Sequence, residues 1–289
     1  MSKKVENIIG KIKKHPGNIN ALYRYVCNLS WEQSEEFCCF LLDNIALLDN
    51  IESDLTYAGT DKKSEKGWKP LEYRSNSRKG APIDFKQKEG EPILREENHL
   101  AMKIFSQGRP NGTDIRNPYP IDGVGYVLDY EMPIGGTNTL LKVKENDMYD
   151  CNHTYGIEYY DYIDKKIKLF SPGKCDLVAF DDKLKRYLIL ELKKEDNEEP
   201  LIRAVMESFT YRKMLDVKSA AKNLRDYYHK LNIPDNLPWV ASPLLYYKKS
   251  QYEEYLKKNS KLRSLMEVLD IKPIWYEYSE NNGFRVIRD

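Results

Sequence analysis

Two carboxylates and a lysine stand close together in a stretch whose alternation predicts two strands, over 175–180 and 187–193, around the polar turn 181–186. Centring that turn on Lys183 and Leu184 pairs Phe180 with Tyr187, Val178 with Ile189 and Asp176 with Glu191. The apolar pairs stack well. The last pair sets two carboxylates face to face with Cβ atoms about 5 Å apart, where like charges destabilise a sheet. A positive charge must offset them. Lys193 falls on the Glu191 face by the two-residue period, while Leu188, Leu190 and Leu192 fill the opposite face. A divalent cation, Mg²⁺ or Mn²⁺, could also hold both acids, because Mg²⁺ binds one or two carboxylates and completes its shell with waters and phosphate oxygens. Such a cation beside an ammonium can neutralise developing negative charge and lower the pKa of a bound water.

A third acid is predicted on the preceding helix, over 92–105, which opens on a proline in its first turn. Ile93, Glu97, Leu100 and Ile104 recur at four, three and four, so Glu97 lies within the apolar stripe and Glu96 faces solvent. A carboxylate in that stripe needs a partner, which makes Glu97 a further ligand for metal or water. The remaining elements are a strand over 124–134, a tyrosine-rich excursion over 138–171 with a hairpin or two, a helix over 199–215 and another over 217–231. A strand over 239–247, one basic amphipathic helix over 251–269 and a closing hairpin, 274–278 with 284–287, complete the chain. The order α-β-β-β-α-β argues for an α/β architecture with a mixed central sheet. Residues 1–58 read as a helical N-terminal region, with Ser30 capping the helix that follows it. Residues 59–91 read as a polar linker or long loop whose basic excess suits a solvated connector first and a nucleic-acid arm second.

The run from Lys174 through Asp176 to Phe180, the run from Leu188 through Glu191 to Lys193, and the order of elements together resemble the PD-(D/E)XK nuclease superfamily. The resemblance spans roughly 92–289. It implies a restriction-endonuclease-like core in which Asp176, Glu191 and Glu97 hold Mg²⁺ or Mn²⁺ and Lys193 acts on the attacking water or the transition state. It also implies a nucleic-acid substrate, DNA ahead of RNA. Glu207 and Tyr211 occupy positions where RecB-type members carry Gln and Tyr, so Tyr211, with Arg203 nearby, is expected to touch substrate. Two departures stand out: Cys175 replaces the proline of the motif, and Glu207 replaces the Gln.

Composition narrows the alternatives. The chain has 289 residues, and 46 Lys and Arg against 45 Asp and Glu leave a net charge of +1, so any hold on a polyanion must come from a local patch. Candidates besides Arg203 are Lys248, Lys249, Lys257, Lys258, Lys261 and Arg263. No apolar run approaches the roughly 20 residues of a membrane span, and residues 1–17 lack a secretory leader, so a cytoplasmic location without membrane contact is expected. Five cysteines, two of them adjacent, do not make a disulfide framework. Cys151, His153 and Cys175 lack a fourth zinc ligand. The competing reading is a non-catalytic nucleic-acid-binding or scaffold protein on a degenerate nuclease fold; a homodimer is compatible with either.

Overall fold

The fold is described from a computed structural model over residues 1–14, 19, 22–51, 96–110, 113–134, 157–161, 166–170, 173–215 and 217–288. The linker expected over 59–91, the first residues of the helix expected from 92, most of the excursion 138–171, and Cys151 and His153 lie outside them.

The chain opens with helices α1 (Lys3–Lys14), α2 (Leu22–Tyr25) and α3 (Trp31–Asp43), followed by a 3-10 turn at Ile45–Asn50. Val5, Ile8, Ile9 and Ile12 form the buried stripe of α1. Ser30 starts α3 with a capping box: its hydroxyl accepts from the Gln33 N–H, and the Gln33 side chain accepts from the Ser30 N–H. Helix α4 (Glu96–Gln107) then leads into the sheet.

Strands β1 (Tyr126–Ile134), β4 (Gly173–Asp181), β5 (Arg186–Lys193), β6 (Trp239–Tyr246), β7 (Ile274–Ser279) and β8 (Gly283–Ile287) form one six-stranded sheet in that order. A separate hairpin, β2 (Ile157–Asp161) with β3 (Lys166–Phe170), intervenes between β1 and β4. The pairs β1–β4, β4–β5 and β7–β8 are antiparallel; β5–β6 and β6–β7 are parallel. The architecture is therefore α/β with a mixed sheet. Helices α5 (Leu201–Met214) and α6 (Val217–Tyr227) carry the crossover from β5 to β6, and α7 (Ser250–Leu256) and α8 (Lys261–Val268) the one from β6 to β7. At the start of β1, Gly125 has φ +88°, and a Cβ there would lie 2.2 Å from the Phe180 carbonyl oxygen, so the close approach of β1 to β4 requires glycine.

Alternation along β4 and β5 splits the core in two. Leu177, Ala179, Leu188, Leu190 and Leu192 pack with Ala101, Ile104 and Phe105 of α4, whereas Val178, Phe180, Tyr187 and Ile189 share a cluster with α5 and with α1, α2 and α3. The N-terminal helices thus share one apolar core with the sheet.

The single basic helix expected over 251–269 is two helices. Asn259 adopts a left-handed φ of 56°, and Ser260 caps α8 by accepting from the Arg263 N–H, so the chain turns where the amphipathic pattern runs on unbroken. Glu35 of α3 completes that cap from outside, accepting from the Ser260 hydroxyl at 2.8 Å and from the N–H groups of Lys261 and Leu262 at 2.7 and 3.0 Å. A carboxylate at free helix N–H groups is favoured by both hydrogen bonding and the helix dipole. Glu35→Ala is expected to lower the unfolding free energy by about 1–3 kcal/mol in urea titration; a change within about 0.5 kcal/mol, typical of an unconnected surface position, would deny the clamp.

Candidate active site

The β4–β5 hairpin has the register that the turn predicts. Its pairs run from Asp181 with Arg186 to Leu177 with Leu190, and the Asp181 carboxylate accepts from the N–H groups of Lys183 and Leu184 to tighten the turn. One step beyond the last of these pairs, the Asp176 carboxylate accepts from the Leu192 N–H at 2.8 Å, a position where a backbone carbonyl would otherwise serve. Asp176 is thereby fixed at the end of the hairpin beside Glu191.

Lys193 neutralises this end of the sheet. Its Nζ lies 3.0 Å from Glu191 Oε1, 3.1 Å from Glu207 Oε2 and 3.6 Å from Glu199 Oε2. Lys193 is 3% exposed, so the interactions of its ammonium are little screened by solvent. Burial alone would lower its pKa, but the charges of Glu207 and Glu191 hold it well above the ordinary lysine range. Tyr276 of β7 donates to the Lys193 carbonyl at 2.9 Å and pins the backbone.

Arg203, Glu207 and Tyr211 are spaced by four on one face of α5, and Glu199 lies just ahead of the helix, four residues before Arg203. Arg203 Nη1 lies 2.7 Å from Glu207 Oε2, and Tyr211 donates to Glu207 Oε1 at 3.0 Å. Burial would raise the Glu207 pKa, yet Lys193 and Arg203 together bring it down to about 2. Glu191 goes the other way: burial first, then the charges of Asp176 and Glu207, push it well above the usual carboxylate range despite Lys193. Among the described residues no N–H or hydroxyl donates to its buried Oε2, and a hydrogen bond to the Glu207 carboxyl adds to the rise.

Glu97 approaches from the α4 side. It is half-buried, accepts from Asn197 Nδ2 at 3.3 Å and lies within electrostatic reach of Lys193. Asn197 is itself held by Gln251, whose Nε2 donates to the Asn197 Oδ1 at 2.9 Å. Five carboxylates, Glu97, Asp176, Glu191, Glu199 and Glu207, therefore surround two cations, Lys193 and Arg203. Among the described residues no three His, Cys, Asp or Glu side chains converge into a ready-made metal cage. The donor set fits a Mg²⁺-type ion nonetheless, because such an ion takes one or two carboxylates and leaves the rest of its shell to water and substrate. Glu191 Oε2 is an acceptor that a cation, a water or a proton shared with the neighbouring Glu207 carboxyl would satisfy.

No protein-family model, curated protein or solved structure matches the chain. The site stands on its own geometry. Of the residues singled out from sequence, Asp176, Glu191 and Lys193 come together, and Glu97 borders them. Arg203 and Tyr211, expected on the substrate, are both turned to Glu207. Of the surface cations, Lys249 pairs with Glu195, Lys257 lies over the Trp31 ring and Arg263 over the Tyr255 ring. Cys175 is fully buried, and burial pushes its thiol up, the reverse of what a nucleophile needs. Among the described residues no helix is long and apolar enough to cross a membrane. Sequence reasoning missed Glu199, Asn197 and Tyr276, and it took Glu207 only as a departure from a motif. The spacing of Glu199, Arg203 and Glu207 was the one local signal for any of these.

The depressed pKa of Glu207 has a definite sign: its stabilisation is present above the ordinary glutamate pKa of 4.5 and is lost as pH falls through about 2. A Glu191→Gln background removes the neighbouring carboxyl that could take over the ammonium. Between pH 4.5 and 2, Glu191→Gln is expected to lose on the order of 3 kcal/mol relative to the Glu191→Gln/Glu207→Gln double variant. Parallel stability curves for the two proteins over that range would contradict the assignment.

Proposed function

We propose that the chain is a metal-dependent nuclease with a restriction-endonuclease-like core, hydrolysing phosphodiester bonds of DNA or RNA. The observation that carries this reading is the meeting of Asp176, Glu191 and Lys193 at one end of the β4–β5 hairpin, with Asp176 anchored on the Leu192 N–H and Glu191 Oε2 without an N–H or hydroxyl donor among the described residues. The order of elements supports it. Helix α4 precedes β1; β4 and β5 continue the antiparallel set; α5 then crosses to β6, which is parallel to β5.

Asp176 and Glu191 would hold Mg²⁺ or Mn²⁺, with Glu97 beside them. When bound, the ion supplies positive charge against the negative charge that develops on the phosphoryl oxygens. Lys193 has three N–H donors. Two are engaged at 3.0 and 3.1 Å by Glu191 and Glu207, while the third reaches Glu199 only at 3.6 Å, and the Glu199 side chain is 33% exposed. That third donor is the one free to exchange onto a substrate oxygen, and Glu199 is the group it leaves. Because Glu191 and Glu207 hold the other two donors, the ammonium turns without leaving the site.

A second reading has one observation in its favour. Lys193 is buried and ringed by carboxylates, an arrangement that also suits a binding protein built on the same core with a structural ion cluster. A panel of labelled single- and double-stranded DNA and RNA, incubated with Mg²⁺ or Mn²⁺ and with an EDTA control, separates the two. Metal-dependent cleavage is expected, reduced at least about 100-fold in Asp176→Asn and in Lys193→Ala. Equal cleavage by both variants would remove the site assignment, and nucleic-acid binding without cleavage would favour the second reading.

A further inference from the structure

Among the described residues, the N-terminal helices reach the ion cluster through Tyr23. Tyr23, on α2, is 2% exposed, and its ring lies 4.5 Å from the Arg203 guanidinium carbon, within the range of a cation–π contact. The same ring meets Tyr211 edge-on, with centroids 5.8 Å apart at 71°. Arg203 depends on such support. Its Nε and Nη1 are buried and make no aligned hydrogen bond, so charge toward Glu207 and Glu199 and the face of Tyr23 are what locate it.

The location of Arg203 matters because it shares one atom with Lys193. Arg203 Nη1 is 2.7 Å and Lys193 Nζ 3.1 Å from the same Oε2 of Glu207. With Arg203 in place, that oxygen divides its attraction between two cations. With Arg203 displaced, the whole charge falls on Lys193 and draws the ammonium away from Glu191, which it meets at 3.0 Å. We infer that Tyr23 is a positioning residue of the site: its ring holds Arg203 on Glu207 and so leaves Lys193 shared between Glu191 and Glu207. The inference rests on the nuclease reading for its catalytic consequence, but the positioning itself can be read without any cleavage. The N-terminal region becomes part of the active unit, because the ring comes from α2.

Two measurements on the full chain test this. In side-chain ¹H–¹⁵N spectra, the Arg203 Nε–H is expected to exchange slowly with water in the wild type and in Tyr23→Phe, and at least about tenfold faster in Tyr23→Leu, which keeps an apolar side chain but removes the π face. In Mg²⁺-dependent cleavage, Tyr23→Leu is expected to lose about tenfold in kcat with KM within about twofold, Tyr23→Phe to restore the rate, and Tyr23→Leu to cost nothing further in an Arg203→Met background. Unchanged Arg203 exchange in Tyr23→Leu, or the same tenfold loss repeated on top of Arg203→Met, would overturn the inference. Should Tyr23→Leu not fold, Arg203→Met alone must show the kcat loss, and a full rate there would overturn it equally. A wild type that cleaves nothing on the panel sinks the nuclease reading instead, and the Arg203 exchange rates then decide the positioning on their own.

Discussion

A lysine ammonium buried at the end of a sheet is tolerable only if carboxylates surround it, and carboxylates gathered there are tolerable only because the ammonium is present. Lys193 and the acids around it satisfy each other in this way. The desolvation that makes each charge costly also makes their mutual attraction strong. The cluster is nevertheless unbalanced: acids outnumber cations, and the imbalance settles on Glu191, whose pKa rises while that of Glu207 falls. Two glutamates facing one lysine are thus driven apart in character, one held firmly ionised and the other poised to accept a proton or a cation.

The surrounding architecture serves to hold that imbalance in place. Strands β4 and β5 bring Asp176 to Glu191, the Leu face beneath them is sealed by α4, and α5 presents Arg203 and Glu207, with Glu199 just ahead of it, from the other face. Elements distant in sequence then close the shell. Tyr276 of β7 pins the Lys193 carbonyl, Gln251 of α7 orders the loop that places Asn197 against Glu97, and α2 supplies Tyr23. The cap that Glu35 places on α8 ties the N-terminal helices to the crossover after β6.

Much of this was legible in the sequence wherever a local rule governs. The register of β4 and β5 followed from alternation and a polar turn, and the order of the strands and of α4 and α5 followed from hydrophobic period. Asp176, Glu191 and Lys193 were found for the same reason, since a two-residue period and one hairpin suffice to bring them together. The helix break before Ser260 is hidden in the sequence although Asn259 and Ser260 suit a turn and a cap, because the apolar stripe continues in phase across it. Tyr23, Asn197 and Tyr276 carry no such signal. Their contacts join segments far apart in the chain, and nothing in the neighbourhood of a tyrosine on a short helix indicates which guanidinium it will meet.

In the proposed function Asp176 and Glu191 would hold a divalent cation at the acidic excess of the cluster. The most direct measurement is anomalous diffraction from crystals grown with Mn²⁺. A single strong peak is expected between the Asp176 and Glu191 carboxylates, absent in Asp176→Asn crystals grown identically. A peak elsewhere, or ordered Asp176 and Glu191 side chains without manganese between them, would contradict it.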